Sequence, residues 1–530
     1  MREAPPPYRI IFNWDGTPDG YSEYPQSQEQ LLDIIYAPIA DTQVGALFWC
    51  LGAEEAKWPS EALPVIGDSE SRRYSSVKRM RRAEGLRAMF ERGEDLYSAI
   101  VERGHELGLH VYCSIRMNDN HFWSDAARRE PPLKPEEMAK TVRPALTQFR
   151  KDHPEWCLGP DHAPQWAATS WNFAIPEVRE YRFQYIAEAC QLADWDGIEL
   201  DWQRHAFHLP EHDAYRLRYT LTDLQRAVRR HTDGITAERG KPFYVATRVG
   251  ATMETCRRVG YDIDRWIREG LCDIVATNAN SGTDTGVDIE TFLALGEDTG
   301  TQLYPGFDSH GESGTGRLIP SRVWLESWYR GLAKNYYDRG ASGIHIFNWH
   351  ATRHTHRSLL TSIGTPDTLA RRNKVYAAIK RHIRGRSELR YGAERDDRLC
   401  GETPVTLYRT LTGDGPKFHV HVHDDVVKEV QAGALENVTL QIELAHFSPM
   451  DRLEVTLDGA LLTSPAVHNI AAENPDNPSD VDENSWLVWS LQPEQADWGP
   501  HEIQVCLVER DSRIRVPLVV ENVEIHIHYQ

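Results

Sequence analysis

Eight short runs rich in β-branched, aromatic and aliphatic residues recur through the first 350 residues, and helix-compatible stretches separate most of them. The runs are Arg9 to Trp14, Ala46 to Cys50, His110 to Met117, Gly197 to Trp202, Phe243 to Val249, Ile274 to Asn278, Gln302 to Phe307 and Gly343 to Trp349. Strands that alternate with helices pair in parallel through right-handed crossovers. Eight such units predict an α/β chain built as a (β/α)8 TIM barrel over residues 1–385.

The helical connectors read from apolar spacing are Gln28 to Ala37, Gly93 to Leu107, Val178 to Leu192, Glu211 to Arg230, Ile263 to Glu269, Ser321 to Arg339 and Thr365 to Ile383. Two connectors, Leu51 to Leu86 and Asn118 to Ile175, are too long for turns, and long excursions after barrel strands wall ligand clefts. After a linker at 386–402 the pattern changes. Residues 403–530 carry strand-like runs from Val405 to His528, punctuated by Gly, Pro, Asn and Asp, which predicts a C-terminal antiparallel β-sandwich domain. Ala471 to Asn484 reads as a mobile loop, and the sandwich as a packing or oligomerisation partner of the barrel.

Composition narrows the function classes. The formal charge of −20 opposes a polyanion, so no nucleic acid is expected as partner, and no apolar run is long enough for a membrane span. Trp (16) and Tyr (21) outnumber Phe (14), and their flat apolar faces with polar edges suit stacking on sugars. The eight cysteines show no C-x-x-C pair and read as free thiols. The start lacks the apolar segment of a secretory leader, which gives a cytoplasmic expectation, with a secreted mature form as the alternative. No phosphate loop, G-x-S-x-G elbow or His-Glu-x-x-His helix occurs, and Gly311 to Gly316 reads as a rim loop.

In a barrel strand alternate side chains point inward. With Ile198 and Leu200 turned to the helices, Glu199 and Asp201 share the inner face, a pair suited to acid and base chemistry. The same parity turns Tyr112, Ser114, Arg116 and Asn118 inward, with Tyr244 and Arg248 on the fifth strand and His345, Phe347 and Trp349 on the eighth. Asn13, Asp15, Trp49, Asp119, His121, Trp202, Arg204, His205, Asn278, Asn280, Asp308, His310, Asn348 and His350 fall at or near strand ends. Polar groups and tryptophans at so many ends predict a polyhydroxylated ligand, an oligosaccharide or polysaccharide, with no cofactor. Asp201 is read as nucleophile or base, and Asp308 or Glu199 as proton donor. A carboxyl separation of about 5 Å retains configuration and about 6.5–9.5 Å inverts it.

Several ordered motifs carry a resemblance. His110-Val111-Tyr112, His153-Pro154-Glu155-Trp156, Asn172 with Ile175 to Tyr181, and Trp195 to Asp201 resemble the glycosyl hydrolase-like family 10 proteins, which show HPEW, a PEVREY helix and DGIHFD in that order. Trp266 to Ile274 is similar to that family's element before the sixth strand. The resemblance implies a glycosidase barrel with Asp201 in the cleft. The sequence departs from the pattern at Trp202-Gln203, where the family has Asp and Tyr. Asp196 to Gln203 is also similar to the D-G-x-D-x-D-W-E signature of family 18 chitinases, with Gln203 where the protonating Glu stands. An amide cannot donate as an acid, so a relative of that kind would be an inactive, lectin-like one.

Two alternatives stand beside the hydrolase. One is a barrel that binds glycan without turnover. The other is a metal-dependent lyase or isomerase using His121, His205, Asp119 and Asp201. In the sandwich, His419, His421 and His423 alternate on one face, with His526 and His528 on the last strand, and a wet sheet face explains them without metal.

Overall fold

The computed structural model describes residues 3–14, 27–74, 76–119, 147–159, 161–163, 167–278, 283–308, 326–347, 349, 354–380, 402–409, 414–472 and 482–530. Asp15, His121, Asn280, His310, the Gly311 to Gly316 run, Asn348 and His350 lie outside these residues.

Eight parallel strands close into a barrel: β1 (Ile10–Trp14), β2 (Val44–Gly52), β3 (His110–Arg116), β4 (Gly197–Asp201), β5 (Tyr244–Val249), β6 (Ile274–Thr277), β7 (Gln302–Asp308) and β8 (Ile344–Phe347). Closure is made by β1 against β8, Ile11 opposite His345. Outward positions such as Ile10, Phe12, Val111, Ile115, Ile198, Leu200, Val245 and Ile344 join one large core with the surrounding helices. That burial drives the barrel together.

The inward residues divide into an aromatic layer and a polar one. Tyr8, Phe48, Tyr112, Tyr244 and Tyr304 fill one end with Ile11, Ala46, Ala246 and Ile274. Glycine makes room for them: a Cβ on Gly197 would come within 2.5 Å of the Tyr112 ring and 2.4 Å of the Tyr244 carbonyl oxygen. With tyrosines packed there, the polar inward residues Asn13, Ser114, Glu199, Asp201 and Arg248 occupy the levels toward the C-terminal ends of the strands, where barrel chemistry sits.

Helix starts follow their caps. Ser27 forms a capping box with Gln30 ahead of Gln28–Tyr36, and Pro176 opens Pro176–Cys190. The long connector after β2 contains an additional helix, Val77–Glu91, started by the Ser76 side chain. Of the helix expected from Thr365 to Ile383, only Pro366–Leu369 is helical among the described residues, which end at Lys380, and Lys374–Ala377 forms β9. Pairing with a distant strand overrides the helical spacing of that segment.

The rest of the chain is antiparallel, in β10 (Val405–Leu407), β11 (Lys417–Val422), β12 (Leu435–Ala445), β13 (Arg452–Leu457), β14 (Ala460–Leu462), β15 (Ala466–Ala472), β16 (Asp482–Ser490), β17 (Gly499–Glu509) and β18 (Leu518–Tyr529). One sheet runs β10-β18-β12-β16-β15 with β9 also on β18, and the other runs β11-β17-β13-β14. Val420, Val422, Leu440, Ile442, Ile503, Val505, Val523 and Ile525 fill the core between them. Of the loop expected at Ala471 to Asn484, Ala471 and Ala472 belong to β15 and Asp482 to Asn484 to β16, because the two strands pair as a hairpin, Ala471 opposite Glu483. Residues 473–481 lie outside the described residues.

The barrel and the sandwich meet through helix Glu326–Asp338 and β9. His423 lies 2.8 Å from the Asn335 amide and 3.3 Å from Asp338. The buried Lys374 ammonium donates to Asp424 at 3.1 Å. Gly331 permits the close approach, since a Cβ there would meet the Val375 carbonyl oxygen at 2.0 Å.

Candidate functional site

Asp201 ends β4 facing into the barrel, 1% exposed. Its Oδ1 accepts from Arg248 Nη1 at 2.8 Å and from the Arg204 backbone N–H at 2.9 Å. Arg248 comes from the neighbouring β5, register partner of Asp201, and its guanidinium lies flat over the Phe347 ring at 3.8 Å. Arg204 approaches the same ring at 5.8 Å. On the other side of Asp201, Arg116 of β3 is its register partner and donates to Asp119 at 3.1 Å. Arg116 and Arg204 have their pKa values lowered, first by burial, with carboxylates opposing: Asp119 and Asp201 for both, and Asp308 for Arg204. Positive and negative charges thus alternate across the ends of β3, β4 and β5.

Glu199 occupies the level beneath Asp201 and is fully buried. Its Oε2 accepts from Asn13 Nδ2 and Ser114 Oγ, each at 2.5 Å, and its Oε1 lies 3.3 Å from His345 Nε2. Four strands, β1, β3, β4 and β8, contribute to this cluster, which ties the polar layer together under the site.

Asp308 ends β7, buried and pointing inward. Its main chain is fixed by the Thr283 hydroxyl on both the N–H and the carbonyl, and by Tyr329 OH on the carbonyl. Asn278, just past β6, is buried with both amide atoms unpartnered among the described residues. A Cβ on Gly306 would sit 2.6 Å from its Nδ2, so that glycine makes space for the amide. His205 takes a left-handed backbone conformation, φ 60°, and lies 3.9 Å from Asp119. Among the described residues no group of three or more His, Cys, Asp or Glu gathers as a metal site.

Four expected ligand-facing residues are engaged elsewhere. Trp49 is in the helix-side core near Trp14, because its parity on β2 is opposite to the inward Ala46 and Phe48. Trp202 follows the inward Asp201 and therefore turns outward, against Phe173, His208, Tyr261 and Trp266, with its indole N–H on Gln225. Trp349 lies beyond the end of β8, where strand alternation no longer holds, and packs edge-on against Tyr329 in the same core. Asn118 donates to the carbonyls of Trp171 and Phe207 and accepts the Trp171 N–H, which makes it a latch between loops.

Sequence reading missed the support behind Asp119. Arg150 is buried, lies over Trp171 at 4.5 Å, and donates to Glu54 at 2.5 Å and to the carbonyls of Asp119 and Thr169. Burial, opposed by Arg150 and Arg182, pushes the Glu54 carboxyl up to about 7. No local motif marks a pair 96 residues apart; the only signal is an acidic pair, Glu54-Glu55, directly after an apolar strand.

No protein-family model and no curated protein matches the sequence. Among solved structures the chain is similar to a cycloisomaltooligosaccharide glucanotransferase of Paenibacillus sp., at 11% identity over 97% of this chain and 57% of that one, TM-score 0.33. It is similar to α-L-fucosidase isoenzyme 2 of Paenibacillus thiaminolyticus, at 12% identity over 67% of this chain and 48% of that one, TM-score 0.40. A third likeness is to the PgaB (BpsB) glycoside hydrolase domain of Bordetella bronchiseptica, at 13% identity over 68% and 99%, TM-score 0.38. The chain spans about half the length of the first two proteins. At these values no residue role is transferred from them. Among the described residues no helix is long and apolar enough to cross a membrane.

Proposed function

We propose that the chain is a glycoside hydrolase that cleaves an oligo- or polysaccharide at the C-terminal mouth of the barrel. The observation that carries the reading is Asp201: a carboxylate at the end of β4, inside a closed barrel, held by a guanidinium and a backbone amide. Both contacts are donated to it, which suits a nucleophile, a base, or the stabiliser of an oxocarbenium-like centre. Asp308, at the end of β7, is assigned the proton donor. Glu199 is assigned to positioning, since Asn13, Ser114 and His345 surround it one level below. Asn278, whose amide has no partner among the described residues and sits beside Gly306, is the described group best suited to meet a sugar hydroxyl.

The mechanism follows from these assignments. As the glycosidic bond breaks, positive charge grows at the anomeric carbon, and Asp201 faces it as a fixed anion. Asp308 supplies the proton to the departing oxygen, and a water molecule then bonds through its oxygen to the anomeric carbon and gives up a proton to a carboxylate, which completes the hydrolysis. A positioned acid or base typically contributes 10²–10⁴-fold.

Glycan binding without turnover is the second reading, favoured by Gln203, a buried amide whose Oε1 has no partner among the described residues, two residues past the acidic strand. The two separate by incubating the chain with oligosaccharides of differing linkage and assaying new reducing ends alongside calorimetric binding. Reducing ends support hydrolysis. Saturable binding with no release over long incubation overturns it in favour of the second reading.

A further inference from the structure

A cavity of about 350 Å³ opens where the barrel meets the sandwich, a volume within the range of small-ligand sites. Trp328 and Leu332 of helix Glu326–Asp338 and Val375 and Tyr376 of β9 supply its apolar lining. The Arg339 guanidinium and the Asn335 amide beside it are already engaged. Arg339 donates through Nε and Nη2 to Glu290, through Nη2 to the Val287 carbonyl and through Nη1 to Asn335. The Asn335 amide is in turn 2.8 Å from His423 Nε2.

Two polar edges are left over. The exposed His421 ring stacks on His423 at 4.2 Å, and its nitrogens take no hydrogen bond among the described residues. Trp498 is 60% exposed, with its indole edge-on to His421 at 5.6 Å. An indole offers a flat apolar face with a polar edge, and this one stands beside a cavity that its neighbour His421 lines.

We infer that this junction is a second binding site, for a neutral polyhydroxylated ligand such as a glycan chain, with Trp498 as stacking platform and His421 as hydroxyl partner. The chemistry argues for a neutral ligand, because among the described lining residues Arg339 is the one Lys or Arg and it is already paired with Glu290. Partial desolvation beside the cavity, with His423 as the next cause, holds the His421 pKa below its usual value, so near neutral pH the ring offers one donor and one acceptor, as a hydroxyl requires. None of these residues belongs to the Asp201 group, so the site stands whether or not the barrel is a hydrolase.

The test uses the full chain carrying Asp201→Asn, so that ligand is not consumed. Maltohexaose, cellohexaose, laminarihexaose and chitohexaose are titrated by tryptophan fluorescence and calorimetry, with a heparin-derived hexasaccharide as the anionic control. The inference expects at least one neutral sugar to bind saturably, with affinity falling at least tenfold in Trp498→Ala and in His421→Ala; both positions are exposed, so both variants keep the parent's circular dichroism. It is overturned if no neutral sugar binds, if both variants bind like the parent, or if only the anionic hexasaccharide depends on these residues.

Discussion

Arg248 Nη1 and Asp201 Oδ1 lie 2.8 Å apart on adjacent barrel strands, and both side chains are withdrawn from solvent. Such a pair is costly to desolvate and more costly to break, because either partner alone becomes an uncompensated buried charge. Arg248→Met is therefore expected to lower stability by roughly 3–5 kcal/mol in urea denaturation. The double variant Arg248→Met/Asp201→Asn recovers part of that loss. If the double variant loses the sum of the two single losses, the pair is not coupled.

The latch made by Asn118 yields a second expectation. Asn118→Ala removes an acceptor and a donor from the buried backbones of Trp171 and Phe207, at roughly 2–4 kcal/mol in a denaturation midpoint. A loss under about 0.5 kcal/mol, the scale of a surface substitution, would contradict the latch.

Glu54 makes stability depend on pH. Its folded value of about 7 lies above the ordinary 4.5, so the stabilisation of its protonated form is complete below about 4.5 and is lost as pH rises through about 7. The difference corresponds to on the order of 3 kcal/mol. Glu54→Gln removes the titrating group and leaves Arg150 without its carboxylate, so it is expected to lower Tm overall and to flatten the curve of Tm against pH between 4.5 and 7. Parallel curves would show that Glu54 does not titrate there.

Between the domains, Lys374 and Asp424 form a buried pair at 3.1 Å, and burial lowers the lysine pKa. Lys374→Met strands Asp424 beside Tyr376, and is expected to cost roughly 3–5 kcal/mol and to separate unfolding of the two domains in calorimetry. A single unshifted transition would mean that the domains are coupled through other contacts.

Much of this was legible in the chain because a barrel strand has a period of two. The rule that turned Ile198 and Leu200 outward also fixed Glu199, Asp201, Arg116, Arg248, His345 and Phe347 inside. It failed where the preference of aromatics for ligands displaced it: Trp202 sits one residue after an inward Asp201, and its outward turn follows from the same parity. Trp349 failed for another reason, since β8 ends at Phe347 and alternation ends with it. Long-range partners left little trace. Lys374 to Ala377 is four residues long, too short for its Val375 and Tyr376 to mark a strand by themselves, and pairing with β18 makes it one. Arg150 and Glu54 are 96 residues apart and meet across two different connectors.

The most direct measurement is the rate of reducing-end release by Asp201→Asn on whichever oligosaccharide the parent cleaves. The amide keeps the shape and the Arg204 contact while removing the anion. Measured below the Tm that the unpaired Arg248 lowers, with circular dichroism retained at the assay temperature, a loss of a thousandfold or more is the expected result. An Asn variant that turns over at the parent's rate would contradict the role of Asp201 and with it the assignment of the barrel mouth as the hydrolytic site.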